Sequence, residues 1–287
     1  MSKATAPGKI ILLGEHAVVY GQPALAVPVT QVEAEVRIDK IFSPGIRLNA
    51  PNIQLNEKLE TLASSHPLAA TVRNTLDALE VNSLSNVSIL IRSSIPVASG
   101  LGSGAAVSVA IIRALAKYLK KPLTDEQVSA LAFETEKLYH GTPSGIDNTV
   151  VTYARPVYFV KEQPVEVLDV KKPFTIVIGD TGIPASTKKA VRDVRVQWHK
   201  NPERYETLFA AIGSIVNTAR HLIESGIPES LGPLMNENHA LLRRMTVSSP
   251  ELEHLVEAAR KAGALGAKMS CGGRGGNMIA LAQTGKA

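Results

Sequence analysis

The sequence predicts an α+β protein built as two domains with a cleft between them, and three observations carry that expectation. Val87, Ile89 and Ile91 alternate with Ser88 and Arg92, the period of a strand, and run into a segment whose apolar residues Val107, Ile111, Ala114, Leu115 and Leu119 recur at helical spacing. Such a strand-to-helix step is the building block of βαβ architecture. Residues 187–263 then read as almost wholly helical, between an apolar strand at 174–179 and a pair of short strands around a glycine turn at 268–277. Finally, 287 residues exceed one average domain, and the charged, proline-broken step Lys171-Lys172-Pro173 is the natural seam, giving domains at 1–172 and 173–287.

In chain order, residues 4–29 read as an apolar strand, a polar interruption and a second apolar run. The interruption, Gly14-Glu15-His16, sets a carboxylate and an imidazole between two segments that ought to be buried, and Lys9 opens the first strand. A hydrogen-bonded structural pair, or a solvated strand end for Lys9, explains these residues as well as a site does. Residues 31–56 look like further strands, since Val32, Ala34, Val36 and Ile38 alternate with polar neighbours. An amphipathic helix at 66–79 precedes the central strand. After Pro122, Thr124 and Gln127 have capping-box spacing, and Val128, Leu131, Ala132, Leu138 and Tyr139 form the expected buried stripe of a helix ending at Gly141. Glu134 and Glu136 flank that stripe, and helical geometry alone does not choose between them. Residues 141–149 read as a turn-rich loop that delivers Asp147 just before a strand at 150–159. Helices follow at 187–225, interrupted near Pro202, then at 229–244 and 250–263.

The run from Pro96 through Ser99, Gly100, Leu101, Gly102, Ser103, Gly104, Ala105 and Ala106 lies where the central strand gives way to its helix. The first N–H groups of a helix lack intrahelical partners and the helix dipole is positive there, so the junction favours an anion such as a phosphate. Glycine at positions 100, 102 and 104 would let phosphate oxygens approach the backbone. Gly100, Gly102 and Ala105 fit a dinucleotide fingerprint, but the acidic residue that motif needs about 20 positions on is replaced by Lys120-Lys121-Pro122. The pattern G-x-x-x-x-G-K-[ST] does not occur. The loop is therefore a third kind of phosphate cradle.

Composition narrows the partners. Hydrophobic residues make up 45% and charged residues 20%, ordinary for a soluble globular enzyme. No apolar run approaches the roughly 18 residues of a membrane span, and the first residues carry no signal-peptide pattern. A single cysteine, Cys271, excludes an intrachain disulfide and fits a reducing cytoplasm. The net charge of +5 is scattered rather than striped, and aromatics are 4%, which argues against nucleic acid and for a small anionic substrate.

The three segments at 7–21, 96–110 and 268–277 together resemble the three motifs of the GHMP small-molecule kinases, in the family's order and across nearly the whole chain. Pro7-Gly-Lys-Ile-Ile-Leu-Leu-Gly-Glu-His-Ala-Val-Val-Tyr-Gly21 is similar in particular to the mevalonate kinase family, and the third motif, with Arg274 and Asn277, to its archaeal members. The resemblance implies the two-domain GHMP fold with a βαβ-containing N-terminal domain and a ferredoxin-like C-terminal one; relatives usually continue further past the third motif, so either that last layer is expected to be abbreviated or the chain is a truncated version. It implies transfer of a phosphoryl group from ATP to the primary alcohol of mevalonate in isoprenoid biosynthesis, with Mg²⁺, in a cytoplasmic enzyme expected as a homodimer. By position, Asp147 matches the catalytic acid and Lys9 the lysine beside it. Ser103 and Glu136 match the Mg²⁺ ligands, residues 96–106 match the ATP loop, and Glu15, His16, Ser144 and Thr187 match the substrate end. Ala185 stands where animal relatives carry an arginine, which leaves Arg192 as a candidate for the substrate carboxylate. Phosphomevalonate, homoserine and galactose kinases, a diphosphomevalonate decarboxylase and a non-catalytic regulator share the scaffold. The retained Lys9, Glu136 and Asp147 speak against the last.

Overall fold

The computed structural model describes residues 1–96, 99–140 and 143–283, and the side chains of Tyr139 and His140 lie outside that description. The chain packs as two units that are not contiguous in sequence: residues 1–9, 28–96 and 102–154 form one, and residues 10–27, 97–101 and 155–287 the other. Among the described residues no helix is long and apolar enough to cross a membrane.

The first unit is a sheet covered by helices. Strand β1 (Ser2–Leu13) and strand β2 (Ala24–Lys40) pair with each other, and both begin or end in the other unit. Strands β3 (Ile46–Ala50) and β4 (Leu55–Lys58) form a hairpin, helix α1 (Pro67–Ala78) crosses over, and strand β5 (Val87–Ser93) returns parallel to β3 and antiparallel to β2. The parallel pair joined through α1 is the expected βαβ element. In β5, Val87, Ile89 and Ile91 are buried as their alternation requires, facing the core that helix α2 (Ser103–Leu119) fills with Val109, Ile111, Ile112 and Leu115.

Helix α3 (Asp125–His140) starts on the capping box as read from sequence. The Thr124 amide donates to Gln127 Oε1 at 2.9 Å, and the Gln127 amide to Thr124 Oγ1 at 3.3 Å. Its buried stripe differs from the expected one. Val128 and Ala132 are buried, but Leu138 is 43% exposed, and the face continues instead through Thr135 and Glu136. Thr135 is held there by a hydroxyl contact with Thr71 of α1 at 2.9 Å, so polar pairing rather than apolar content decides the face. Gly141, where the helix was expected to end, lies outside the described residues.

A second difference follows immediately. Residues 146–153 form helix α4 (Ile146–Tyr153), and the strand expected from 150 is reduced to β6 (Val157–Phe159). Gly145, in the left-handed region at φ 95°, turns the chain into the helix, and Ile146, Val150 and Val151 bury one face of it. The β-branched content of 149–152 suggested a strand, but packing overrode that propensity.

In the second unit, β6 pairs with Ala24–Ala26 of β2 and with β7 (Glu166–Val167). This pairing is why the chain changes units at Arg155 rather than at the charged step near Pro173. Strand β8 (Ile176–Asp180) leads to helices α5 (Thr187–Lys200), α6 (Pro202–Glu224), α7 (Leu231–Arg244) and α8 (Pro250–Lys261), then to β9 (Gly266–Met269) and β10 (Asn277–Leu281). Among the described residues the antiparallel order is β8-β10-β9, three strands where a complete ferredoxin-like layer has four. Tyr20, in the short turn between β1 and β2, stacks on Phe209 of α6 with ring centroids 4.1 Å apart and meets Trp198 of α5 edge-on at 5.1 Å. These rings anchor the segment that carries Glu15 and His16.

Candidate active site

Within the first unit, Lys9 is neither at a strand end nor solvated. It lies well inside β1 with its side chain 2% exposed, and its ammonium reaches Asp147 Oδ1 at 2.9 Å. Asp147 is in the first turn of α4 and remains a quarter exposed, so the pair has one buried and one accessible partner. Ser144 Oγ accepts from the Ile146 amide at 3.3 Å, which shapes the entry to that helix. The lysine stem runs across Gly102. A Cβ there would sit 2.7 Å from Lys9 Cγ, and φ at Gly102 is 75°, so glycine is needed twice over. Gly102 is also the N-cap of α2, and as a glycine it has no side chain with which to cap that end. The amides of Ser103, Gly104 and Ala105 begin the helix, with Ala105 and Ala106 buried beneath them. Backbone donors and the dipole thus supply positive potential at this turn of the chain.

Glu136 is the buried carboxylate of α3, at 2% exposure, whereas Glu134 is exposed and paired with Lys137 at 2.6 Å. Burial separates two acids that periodicity left equivalent. A carboxylate taken from water is favoured where a cation balances it.

The other half of the glycine loop belongs to the second unit, where it packs on the third motif. The Asn277 side-chain amide donates to Ser99 O at 2.6 Å, and the Cys271 thiol to Gly100 O at 2.9 Å. A Cβ on Gly276 would come within 2.8 Å of Ser99 O, and one on Gly100 would meet Cys271 Cβ at 3.3 Å. Close approach of protein atoms therefore accounts for glycine at 100 and 102, where sequence suggested room for phosphate alone. Leu101 is buried beside them and Pro96 is exposed.

The same unit holds Glu15 and Lys268 as an ion pair with neither side chain exposed. Glu15 Oε2 also accepts from Asn238 at 3.3 Å, and Lys268 donates to Met269 O at 2.6 Å. Each Glu15 oxygen thus accepts from a protein donor. The pair fastens the 14–16 segment to β9. Burial pushes the Lys268 ammonium below its ordinary pKa, and Glu15 opposes that. His16, the next residue, has a left-handed backbone at φ 62° and donates from Nε2 to Gly272 O at 3.1 Å. Burial lowers its pKa to about 4, with Arg274 and Lys268 adding to the effect, so the ring is neutral near pH 7. Thr187 meets the same residue from the other side, because a Cβ on Gly272 would lie 2.7 Å from its Oγ1. The structure thus brings His16 and Thr187 together at the third motif. The Arg192 side chain is 69% exposed, and its Nη2 reaches Asp193 Oδ1 at 3.4 Å, the carboxylate that also pairs with Arg274.

Sequence reading missed Lys268, Asn238 and the ion pair of Arg274 with Asp193 at 2.5 Å. The one available signal was Lys268 itself, a charge between Ala267 and Met269 in a strand that is buried throughout.

Comparison with known proteins gives this geometry a family. Models of the GHMP kinases N-terminal domain and the GHMP kinases C-terminal region match residues 68–155 and 219–287. The mevalonate kinase of Pyrococcus abyssi is 38% identical, covering 97% of this chain and 88% of that protein. The chain belongs to the mevalonate kinase family of GHMP kinases. Its solved relatives include the L. major mevalonate kinase in complex with R-mevalonate, at 34% identity and TM-score 0.84 over 99% of this chain and 88% of that one. The Methanococcus jannaschii mevalonate kinase gives TM-score 0.86 at 25% identity, over 99% and 91%. In this GHMP kinase the N-terminal family match ends at 155, where the first unit also ends by packing.

Two outcomes follow from the buried charges. Glu15→Gln or Lys268→Met alone should each cost about 3–5 kcal/mol in denaturant unfolding, and the double variant less than their sum, since removing one partner strands the other. His16 and His239 both have pKa values lowered to about 4, chiefly by burial, against an ordinary 6.5. Between those values the unfolded chain binds the protons the native state refuses. Stability should therefore fall as pH drops from about 6.5 to about 4, by up to about 1.4 kcal/mol per pH unit for each histidine, and show no such slope above 6.5. Unfolding midpoints measured across that range, with His16→Asn showing a shallower slope, check the sign.

Proposed function

We propose that the protein transfers the γ-phosphoryl group of ATP to the primary alcohol of mevalonate, forming 5-phosphomevalonate. The observation that carries this reading is the Lys9–Asp147 pair at 2.9 Å, with the lysine stem laid across the glycine that starts α2. Phosphoryl transfer has a loose transition state in which charge spreads over the transferred group, so a protein accelerates it by positioning and by neutralising charge. Asp147, reachable from solvent, accepts the proton of the attacking alcohol as the new bond to the γ-phosphorus forms and the bond to the departing ADP oxygen breaks. Lys9 holds Asp147 in one orientation and stabilises negative charge developing on that oxygen. A carboxylate is too weak to remove the proton beforehand, so transfer is late and depends on this alignment. The backbone donors at the start of α2 receive phosphate oxygens.

The residues assigned to Mg²⁺ suit it chemically: Ser103 offers a hydroxyl and Glu136 a carboxylate, both hard oxygen donors, and Mg²⁺ ordinarily completes its shell with water and phosphate oxygens. When bound, the ion supplies neutralisation of phosphate charge. His16 and Thr187, which meet at Gly272, support the acceptor end of the reading. Cys271, a buried thiol bonded to a backbone carbonyl, suits a reducing cytoplasm.

Asp147→Asn should lower turnover with mevalonate by about 10² to 10⁴ while leaving ATP affinity within about twofold. Near-normal turnover, read by coupled ADP release, would remove Asp147 from this role. Glu136→Gln should raise the Mg²⁺ concentration needed for half-maximal rate several-fold, and an unchanged requirement would return the metal to other residues.

A further inference from the structure

Asp147, the proton acceptor proposed above, sits in the first turn of an eight-residue helix, where a residue is least held by the helix itself. We propose that Asn148, clamped to Ser129 of α3, is a positioning residue for the reaction: it sets the direction in which Asp147 presents its carboxylate.

A helix this short is marginal on its own, and the amides that open it have no intrahelical partners. The contact of Lys9 with Asp147 Oδ1 at 2.9 Å fixes one distance and leaves the carboxylate free to pivot about it. Asn148 supplies what that contact lacks. Its side chain is 4% exposed, and Nδ2 donates both to Ser129 O at 3.1 Å and to Ser129 Oγ at 2.9 Å. An asparagine amide has two N–H groups, so both are spent on one residue of a neighbouring helix. The flipped amide would set Asn148 Oδ1 against the Ser129 carbonyl, acceptor against acceptor, so the network admits one orientation only. Successive helical residues lie about 100° apart around the axis, and holding Asn148 against α3 therefore fixes where Asp147 points. The turn is closed from within as well: Thr149 Oγ1 donates to Gly145 O at 2.7 Å, and Ser144 Oγ accepts from the Ile146 amide. The helix to which Asn148 is tied is held in turn, since Thr135 of α3 meets Thr71 of α1 at 2.9 Å. All of these residues belong to the first unit, as do Lys9 and Asp147. An asparagine that merely packed α4 on α3 would act on stability, whereas one that aims Asp147 acts on turnover, and only while Asp147 is there to be aimed.

This positioning role rests on the proposed role of Asp147, and a double-mutant cycle separates the two. Turnover and KM are measured by coupled ADP release with mevalonate for the wild type, Asp147→Asn, Asn148→Leu and the double variant. If the wild type leaves mevalonate unphosphorylated, or Asp147→Asn turns over normally, the functional reading fails whatever Asn148 does, and the positioning role fails with it. With that reading intact, Asn148→Leu should lower kcat about 10- to 100-fold, the scale of a displacement of about 1 Å at a reacting group, with KM for ATP within about twofold. In the Asp147→Asn background the same change should cost less than about twofold, because the group it aims is gone. Ser129→Ala, which keeps the bond to the backbone carbonyl, should lose about two- to tenfold, and Ser129→Thr, which returns the hydroxyl, should come within about twofold of the wild type. Made in both backgrounds, the Ser129 variants carry the test if Asn148→Leu does not fold. An unchanged kcat in Asn148→Leu, losses that multiply in the double variant, or an effect confined to KM for ATP would each overturn the proposal.

Discussion

A single ammonium group held almost out of water organises the glycine turns of the first unit. Burying the charge of Lys9 requires a fixed carboxylate, and Asp147 supplies it from the first turn of α4. Reaching that carboxylate requires a path for four methylenes, and the missing side chain of Gly102 opens it. Presenting the carboxylate requires the chain to turn abruptly into α4, which Gly145 permits through its left-handed backbone. Each glycine can thus be derived from the lysine, and Gly102, as the N-cap of α2, brings no side chain to that helix start.

The third motif has a parallel role in the second unit, where it works by saturating backbone groups. Gly272 O accepts a hydrogen bond from His16, Ser99 O from the Asn277 amide, and Gly100 O from the Cys271 thiol. Ser270 Oγ donates to Ile11 O at 2.9 Å, which ties the turn to β1 as well. Four side-chain bonds, each spanning a long stretch of sequence, hold short irregular segments in single conformations. That is how loops with little apolar surface are made rigid enough to bear function.

Much of this was legible in the sequence because it is local. The alternation in β5, the capping box at Thr124, the break before Pro202 and the glycine hairpin between β9 and β10 all declare themselves within a few residues. What escaped depends on distant partners. The β-branched run in α4 has strand character by itself and becomes helix by packing. Leu138 belongs to an apolar pattern yet faces solvent, because Thr135 and Glu136 take the inner face of α3. The seam near Pro173 looked like a boundary, but β6 pairs with β2, and no charge pattern records that. The site was similarly divided. Motif resemblance pointed to Lys9, Asp147 and Glu136 as individuals, whereas the commitment of Glu15 to Lys268 could be known only from the fold.

Glu15 and Lys268 stand 253 positions apart, yet removing either would leave the other's charge buried without its partner. Their codons lie near opposite ends of the coding sequence, so a lineage that changes one must carry a disabled interior until the second change arrives. Recombination that exchanges only the opening strands imports a new residue at position 15 against a resident lysine. Compatibility between the two ends of the chain is therefore expected to be inherited as a unit, with chimeras crossed between those positions most stable when both parents carry the same pair.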